Sequence, residues 1–450
     1  MFQTQAATEK NETSLDEVTI RICKNLETLP RLTNGCSIYK VPDRLRLGNE
    51  GDYTPKVVSI GPFHHGKEEL RTMQEHKYRY LRDFLERGPA MPIRDGMLHY
   101  VDLIKEKEAE LRSAYAEPIN LGSDEFASMI LVDTAFTIEV LLRLWGSEFR
   151  HAHDRIFNKP YMIKDILPDM VLLENQLPLF IIEYLYRILN HGIHLPISEL
   201  LVRFMSTLLD WDLEMNENRP FPIVERCRSV ATSAEHLVDL VRSVYQPTSV
   251  SIETREKAII TTPSSVELFQ AGLQFEIMKP EDSYVSLVDY TDSSRVLKIS
   301  KMTVSRKTEV AVMNLLAFEQ CHSIDMPAYA NDFVAFLDCL IHSSKDVDLL
   351  VKQQIINNRL ADISCAYTVI KKLGNAAAVS SETFYFAGIC EDLNRYHKSR
   401  RSRLKATLNE WAISLRKNYF YSPWTIISVI AAFILLVLTF IQAVCSVMSV

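Results

Sequence analysis

One loop of the chain nearly spells a phosphate-binding motif. Gly61-Pro-Phe-His-His-Gly66-Lys67-Glu68 follows a strand-like run and leads into a helix, as the G-x-x-x-x-G-K-[ST] loop of nucleotide-binding proteins does. That loop needs successive backbone N–H groups around the phosphates and a hydroxyl group for Mg²⁺. Pro62 removes one donor, and Glu68 replaces the hydroxyl with a carboxylate that would repel phosphate. We therefore favour a structured turn over a nucleotide site here.

Two other groups of polar residues could carry chemistry. The pair His64-His65 could bind a metal, but adjacent side chains point apart and no spaced acid or Cys completes a ligand set. Glu174-Asn175-Gln176 places a carboxylate and two amides inside an apolar segment, just before Pro178. A buried acid with a shifted pKa is the functional interpretation. Hydrogen bonding to backbone groups freed at a helix break is favoured, and Asp133 is expected to have a buried polar partner.

No catalytic constellation is recognisable in the sequence. There is no Gly-x-Ser-x-Gly elbow and no His-Glu-x-x-His run, and the Cys and His residues have no spacing that suggests a dyad. The eight Cys residues form no C-x-x-C pair, so free thiols in a reducing cytosol are expected. We predict a protein without catalysis, cofactor or bound metal.

The stretch Thr425–Val444 predicts a membrane anchor. It contains no charged side chain, and a helix of about 20 residues spans roughly 30 Å, the thickness of a bilayer's hydrocarbon core. Four aromatic residues that suit a water–lipid boundary precede or begin it: Tyr419, Phe420, Tyr421 and Trp424. A buried helix of a soluble core is the alternative. We predict one transmembrane helix over 422–445, followed by a short tail, 446–450.

A basic segment precedes this anchor. Its Lys and Arg residues are Arg395, Lys398, Arg400, Arg401, Arg403, Lys405, Arg416 and Lys417. Because the whole chain carries a net charge of −7, these cations stand out, and the positive-inside rule places the preceding body in the cytosol, against an anionic inner leaflet. Apolar residues at helical spacing predict an amphipathic juxtamembrane helix over 395–421. A solvated helix face and a nuclear import signal are the alternatives.

The remaining chain favours a large helical body. Its hydrophobic content of 47% suffices for a large core, and 13 Gly residues are few for this length, which disfavours glycine-lined phosphate cradles. Periodicity predicts helices from a capping box at Ser14–Glu17 and at Glu68–Arg87, Met97–Tyr115, Ser123–Trp145, 168–189 with a break at Leu177, Ile197–Trp211, Ala231–Tyr245, a short one from Ser264 closed by Gly272, Lys307–Cys321, Tyr329–His342, Asp346–Asn357 and Ser381–Lys417. Strand-like runs are Cys36–Val41, Lys56–Ile60, Gln274–Ile277, Val285–Tyr290 and Arg295–Ile299.

The predicted fold class is mainly α: a large helical cytosolic body with a minor antiparallel β component, plus one C-terminal transmembrane helix. After a disordered start, 1–13, a helical lobe over 14–246 is joined by a Ser- and Thr-rich linker or loop, 247–265, to a second lobe, 266–394. The second lobe combines a small sheet with helices. One large domain is the alternative to two lobes.

A series of motifs runs through nearly the whole chain. They are Ile38-Tyr-Lys-Val41-Pro42, Leu45-Arg46, Tyr53-Thr-Pro55, Val58-Ser-Ile-Gly-Pro-Phe-His-His-Gly66, Met73-Gln-Glu-His-Lys77, Tyr80-Leu81, Val132-Asp133, Glu139, Asp169-Met-Val-Leu-Leu-Glu-Asn-Gln-Leu-Pro-Leu-Phe180, Glu267–Phe275, Asn314–Gln320, Tyr419-Phe420 and Pro423-Trp424. Together they resemble the plant family catalogued as domain of unknown function two-four-seven, with Gln74 in place of an expected Glu. The resemblance implies a cytosolic body with a C-terminal membrane helix and no established reaction. Some grass members are associated with self-incompatibility recognition, which hints at partner binding.

The leading functional interpretation is a single-pass, tail-anchored plant membrane protein that acts as a protein-interaction or recognition and signalling module without catalysis. Its expected partners are the anionic inner leaflet and an unknown protein, with no nucleic acid, and it could form homo-oligomers. The plasma membrane is favoured over the endoplasmic reticulum at the level of the family. The alternatives are a membrane-tethered enzyme, nucleotide-dependent through Gly61–Lys67, and a self-associating coat of an organelle membrane.

Overall fold

The structure is a computed structural model of the 450-residue chain. It describes residues 17–24, 26, 35–89, 91–189, 194–209, 222–247, 259–278, 287–322, 327–399 and 423–448. The predicted disordered start, most of the capping box, most of the linker and most of the basic segment lie outside these residues. Within them the chain is mainly helical with a minor β component, as the sequence predicts.

The elements follow one another along the chain, after a helical stretch over 17–24. The helices are α1 (Asp43–Arg46), α2 (Glu50–Tyr53), α3 (Thr72–Arg87), α4 (Ile93–Glu106), α5 (Glu108–Ser113), α6 (Ser123–Trp145), α7 (Pro160–Asp169), α8 (Leu179–Leu189), α9 (Ile197–Leu208), α10 (Pro222–Val230), α11 (Leu237–Tyr245), α12 (Ser265–Gln270), α13 (Arg306–Cys321), α14 (Tyr329–Leu340), α15 (Ser344–Lys352), α16 (Ile363–Ala376), α17 (Ala387–Lys398) and α18 (Pro423–Met448). The strands are β1 (Gln274–Ile277), β2 (Val288–Thr291), β3 (Val296–Ile299), β4 (Met302–Val304) and β5 (Ile356–Asn358).

Helix α6 lies at the centre of the largest core. Every residue from 129 to 144 is buried, because its sequence is apolar nearly all round and α3, α4, α8 and α9 pack against it. Its bounds agree with the prediction, but its N-cap does not: the cap residue is Gly122. The Ser123 hydroxyl instead donates to Oε2 of Glu108 at 2.5 Å.

The predicted broken helix over 168–189 is wrong in its first half. Helix α7 already ends at Asp169, α8 begins at Leu179, and residues 170–178 form no helix. The predicted Met97–Tyr115 helix likewise divides at Lys107 into α4 and α5. Five helices, α1, α2, α7, α10 and α16, were not predicted from the sequence.

The sheets are mixed, which corrects the predicted antiparallel arrangement. Strand β3 lies between β1 and β2, with Phe275 and Tyr290 both opposite Leu297. The hairpin pairs β2 and β3 antiparallel, and β1 then joins the free side of β3 in parallel. Strands β4 and β5 form a second, parallel pair. The predicted strand at Cys36–Val41 is reduced to one bridge between Ile38 and Tyr115, and residues 56–60 form no strand.

Buried apolar residues form three main clusters. The first surrounds α6, and the second joins the sheet to α14–α17. The third lies between them and combines Leu45 and Tyr53 with Phe318 of α13 and Leu373 of α16. The N-terminal segment with α1 and α2 is therefore packed against helices that lie more than 250 residues further along the chain. The division into two lobes stays a prediction.

The C-terminal helix α18 covers the stretch predicted as the anchor. It begins at Pro423 and ends at Met448, and its described large apolar side chains, from Ile427 to Val444, are exposed. Among the described residues no helix qualifies as long and apolar enough to cross a membrane. The transmembrane assignment is thus not shown and stays a prediction.

The central position of α6 leads to a stability prediction. Ile138→Ala removes a side chain with no exposed surface and should lower the free energy of unfolding of the full chain by about 2–5 kcal/mol, since a cavity is left behind. Denaturant unfolding in detergent, followed by circular dichroism, measures this change. Ile93→Ala, at the exposed start of α4, is the matched control and should change stability by about 0.5 kcal/mol or less. Equal losses in both variants would contradict a core centred on α6.

Candidate functional site

The backbone of segment 56–61 is held by side chains rather than by a neighbouring strand. The N–H groups of residues 56–58 donate to the carboxylate of Asp169 at 2.7–3.1 Å. Oδ1 of Asn175 accepts the N–H of Ile60 at 2.7 Å, and the Asn175 amide donates to the carbonyl of Val58 at 3.0 Å. Burial raises the pKa of Asp169, and the three backbone donors oppose the rise. These contacts explain why a strand-like sequence forms no strand.

A buried ion pair lies at the end of this segment. Nζ of Lys77 is 2.5 Å from Oδ1 of Asp133, and it also donates to the carbonyl of Ser59. Oδ2 of Asp133 accepts the N–H of Gly61 at 2.9 Å. Both charged side chains are at most 3% exposed. Asp133 of α6 is thus joined to the family motif around Gly61 through its carboxylate.

Three backbone donors of the loop Gly61–Lys67 are bound within the protein. The Gly61 N–H is bound by Asp133, and the N–H groups of His65 and Lys67 donate to the carbonyls of Pro62 and His64 at 3.3 and 3.4 Å. Gly61 has a φ of +75°, and a Cβ there would lie 2.4 Å from the Gln176 carbonyl oxygen. Gly61 therefore allows the backbone to pack closely against Gln176. The carboxylate of Asp133 already binds a backbone N–H that a phosphate would need as a donor.

Glu174 ties the N-terminal segment to the same loop. Oε1 accepts the N–H of Val41 at 2.8 Å and a hydrogen bond from the Arg46 guanidinium. Oε2 lies 3.3 Å from Nε2 of His64, within ion-pair distance but not aligned for a hydrogen bond. Burial opposes ionisation of Glu174, but His64, Val41 and Arg46 together outweigh it and lower its pKa.

Gln176 organises the non-helical residues 170–178. Its Nε2 donates to the carbonyls of Met170 and Leu172, each at 2.8 Å. Its Oε1 accepts the N–H of Leu237 at the start of α11 at 3.0 Å. The Glu174-Asn175-Gln176 run therefore binds backbone groups of three separate segments, and nothing in its geometry resembles an acid or base aimed at a substrate.

A second charged cluster escaped the sequence analysis. Asp52 is 1% exposed, and Lys372 donates to its Oδ2 and, at 2.8 Å, to Oε1 of Glu309. Arg306 lies 2.9 Å from Oδ1 of Asp52 and 2.8 Å from Oε2 of Glu309. Burial opposes the charge of Lys372, but the two carboxylates outweigh it and raise its pKa. These residues are so far apart in sequence that no spacing could have indicated the cluster.

Asn314 of α13 adds a hydrogen-bonded link between the two parts of the chain. Its amide donates to the carbonyl of Asp52 at 2.8 Å, and its Oδ1 accepts the N–H of Leu173 at 2.9 Å. The side chain is fully buried. This motif residue therefore fixes α2 and the 170–178 segment against the same helix.

Beside the charged cluster lies a cleft with a volume of about 530 Å³. Arg44 and Asn49 line one wall, and Lys371, Lys372 and Asn375 of α16 line the other. Nζ of Lys371 is 2.7 Å from Oδ1 of Asp338. Arg44, in contrast, is exposed and forms no hydrogen bond or ion pair with any residue that the structure describes. The cleft thus combines two neutralised lysines with one arginine that has no counter-charge among the described residues.

The partly buried Glu319 and the buried Asp332 form an acidic pair where α13 meets α14. Glu319 accepts the N–H groups of Ala330 and Asn331 at 3.0 Å each, and Asp332 accepts the N–H of Tyr385 at 2.8 Å. Burial raises the pKa of Asp332 to about 7, and the charge of Glu319 adds to the rise. Burial also raises the pKa of Glu319.

The residues predicted to face the membrane are only partly described. Tyr419, Phe420, Tyr421, Arg400, Arg401, Arg403, Lys405, Arg416 and Lys417 lie outside the described residues, as does the side chain of Trp424 in α18. Arg395 and Lys398 lie in the last turn of α17, where Arg395 is 2.5 Å from Oδ1 of Asp392. In the part of the chain that the structure describes, no three His, Cys, Asp or Glu residues come together as a metal site.

Comparison with known proteins agrees with the motifs. The profile of DUF247, a family described as plant protein of unknown function, matches residues 38–438. The chain belongs to this family. Its relatives include a UPF0481 protein of Arabidopsis thaliana, 26% identical over 441 residues that cover 92% of this chain and 87% of the relative. A putative UPF0481 protein of the same plant is 23% identical, covering 90% and 89%. No solved structure matches this DUF247 protein.

The buried ion pair gives a second prediction. Lys77→Met leaves the buried carboxylate of Asp133 without its counter-charge, and we expect a loss of about 3–5 kcal/mol in the free energy of unfolding. Lys67→Met, at the exposed lysine that ends the loop Gly61–Lys67, is the matched control and should change stability by about 0.5 kcal/mol or less. Thermal and denaturant unfolding of the two full-length variants measure both values. Comparable losses would show that the Gly61 turn does not depend on this pair.

The acidic pair gives a pH prediction. The pKa of Asp332 is about 7 in the folded chain, against an ordinary value of 3.8. Because the folded chain holds this proton more tightly than the unfolded chain does, the free energy of unfolding falls as the pH rises from about 4 through 7. Asp332→Asn keeps an acceptor for Tyr385 without the charge. It should therefore stabilise the chain at pH 8 by on the order of 2–4 kcal/mol and have little effect near pH 4.

Unfolding measured across this pH range tests the coupling. Glu319→Gln removes the neighbouring charge, so the pH-dependent difference between Asp332 and its Asn variant should shrink in that background. A difference that stays constant from pH 4 to pH 8 would contradict a raised pKa at Asp332.

Proposed function

We propose that this DUF247 protein is a single-pass, tail-anchored membrane protein whose cytosolic body recognises another protein without catalysis. The anchor is α18, and the plasma membrane is the proposed location. The observation that carries this proposal is the contrast between α18, whose described large apolar side chains are all exposed, and a body that buries most of its apolar residues.

The cost of exposing α18 to water supports the anchor. Eleven of its residues from Ile427 to Val444 are large apolar side chains with 41% or more of their surface exposed. Burying apolar surface is worth about 25 cal/mol per Å², so a lipid environment would stabilise this helix by many kcal/mol. Its 26 residues give a length of roughly 39 Å, against about 30 Å for the hydrocarbon core of a bilayer. The net charge of the preceding basic segment supports a cytosolic body.

The use of polar residues in the body supports recognition rather than catalysis. The carboxylates and amides in the family motifs, such as Asp169, Glu174 and Asn175, bind backbone groups and leave no paired acid and base at a surface. Exposed apolar side chains at the start of α4, Ile93 and Leu98, offer area for a protein partner. The geometry of Gly61–Lys67 lends no support to a nucleotide-dependent enzyme.

Membrane extraction tests the anchor. Full-length protein expressed in plant cells should stay with the membrane pellet after washing with alkaline carbonate. Leu435→Asp combined with Leu438→Asp should move most of it to the supernatant, because each Asp near a helix centre costs about 3 kcal/mol of insertion. Leu47→Asp combined with Leu98→Asp, at exposed leucines of the body, is the matched control and should remain in the pellet.

The recognition part has its own test. Proximity labelling with the intact chain should enrich a defined set of proteins that the double α18 variant no longer labels, and protease added to right-side-out vesicles should leave the body intact. An unchanged set of labelled proteins would make the membrane incidental. Release of the unmodified chain by carbonate would overturn the anchor.

A further inference from the structure

The cleft between α1 and α16 has an uncompensated positive charge. Lys371 is neutralised by Asp338 and Lys372 by the buried carboxylates described above. Arg44 projects from the short helix α1 without a described counter-charge. An exposed arginine would ordinarily turn away from other cations, but Arg44 lies in the same cleft as two lysines. Its position beside two lysines is fixed by the surrounding structure and not by its own contacts.

That position is well determined by the neighbours of Arg44. Leu45 is buried in the cluster that joins both parts of the chain, and Arg46 is bound by Glu174. Burial raises the pKa of Tyr53 and of Cys321, and the positive charge of Arg44 opposes both rises. The charge of Arg44 therefore acts on both of these neighbouring side chains.

The shape and lining of the cleft define the chemistry of a ligand. A volume of about 530 Å³ falls within the range of small-molecule sites. The planar guanidinium of Arg44 matches a carboxylate through two parallel hydrogen bonds. Asn375 adds an amide group, and the partly buried ring of Tyr367 supplies apolar surface. Such a lining fits an organic body that carries a carboxylate.

The charge balance favours one negative charge. The cations at and below the cleft are Arg44, Arg306, Lys371 and Lys372, and the anions are Asp52, Glu309 and Asp338. One anionic group compensates the single excess cation, whereas a doubly charged phosphate would leave an excess of negative charge beside three carboxylates. A monoanion is therefore preferred over a phosphate ester.

We propose that this cleft binds a small organic monocarboxylate, with the carboxylate on Arg44 and the apolar part of the ligand over Tyr367. The ligand contacts α1 on one wall and α16 on the other, so it joins segments that are more than 300 residues apart. Since binding favours the folded chain by mass action, it stabilises the packing of the N-terminal segment. This site does not depend on the membrane anchor.

The experiment uses the full chain in detergent micelles and a panel of probes. The acids are acetate, benzoate and 1-naphthoate, and the uncharged matches of the aromatic acids are benzamide and 1-naphthamide. Ligand-detected saturation-transfer NMR and thermal unfolding report binding. We expect the aromatic acids to bind saturably and to raise the melting temperature, and we expect both amides to bind at least tenfold more weakly.

Variants assign the binding to the cleft. Arg44→Ala should weaken the binding of benzoate and 1-naphthoate by about tenfold or more, since it removes the charge and the two donors. Arg44→Lys keeps the charge but loses the pair of parallel donors, so it should bind the acids more weakly than the unmodified chain and more tightly than Arg44→Ala. Arg94→Ala, at an exposed arginine of α4 outside the cleft, is the matched control and should bind as the unmodified chain does. Because Arg44 forms no hydrogen bond or ion pair with any described residue, its variants should unfold at the same temperature as the unmodified chain when no ligand is present.

Three outcomes would overturn the proposal. The first is the absence of saturable binding by any of the three acids at millimolar concentration. The second is equal binding of acids and amides, or equal loss in Arg44→Ala and Arg94→Ala. The third is displacement of benzoate by inorganic phosphate at equal strength, which would indicate an unselective cationic surface.

Discussion

The extended segment 56–61 satisfies its backbone through side chains, and much of the N-terminal packing depends on this. Five of its N–H groups are bound by Asp169, Asn175 and Asp133. A buried donor without a partner costs about 1–3 kcal/mol, so losing the acceptors of all five N–H groups would cost about as much as the whole stability of an ordinary domain. The three acceptors come from α6, the end of α7 and the loop after it. Their relative positions are consequently fixed by one short stretch of backbone.

The same kind of contact recurs wherever distant parts of the chain meet. Asn314 joins α2 to residue 173, and Glu319 binds the start of α14. His236 binds the carbonyl of Ser37 through Nε2 at 3.0 Å and accepts the Asp239 N–H at 3.2 Å through Nδ1. Burial lowers the pKa of His236 to about 4, which keeps the ring neutral and able to do both. Short sheets contribute little to these long-range connections, and buried polar side chains contribute most.

These facts explain which parts of the fold could be predicted. Helix α6 was predicted with its bounds, because a long apolar run with few charges has only one reasonable interpretation. The strand-like alternation at 56–60 was misleading, because local periodicity reports an extended backbone but not what accepts its hydrogen bonds. Helix α16 was missed although Asp362 caps it and Ala366, Ile370 and Leu373 are buried along one face. Its β-branched residues and Gly374 weakened the helical signal.

The charged cluster around Asp52 and the cleft beside it could not be predicted from sequence patterns, for a different reason. Their members come from α1, α2, α13 and α16, and no spacing relates residue 44 or 52 to residue 372. Only the packing of the N-terminal segment against α13 and α16 brings them together. A motif can indicate that a residue matters to the fold, but a surface assembled from two distant segments becomes visible only in three dimensions.

Two features stand apart from the rest of the described chain. Most buried charges, such as Lys77 and Lys372, have counter-charges, and most large apolar side chains are buried. Arg44 lacks a described counter-charge in a cleft, and α18 exposes an apolar surface. Departures from local consistency often mark the places where proteins carry function. A monocarboxylate would complete the first and a bilayer the second, and the two can be tested separately because neither contributes to the contacts that hold the body together.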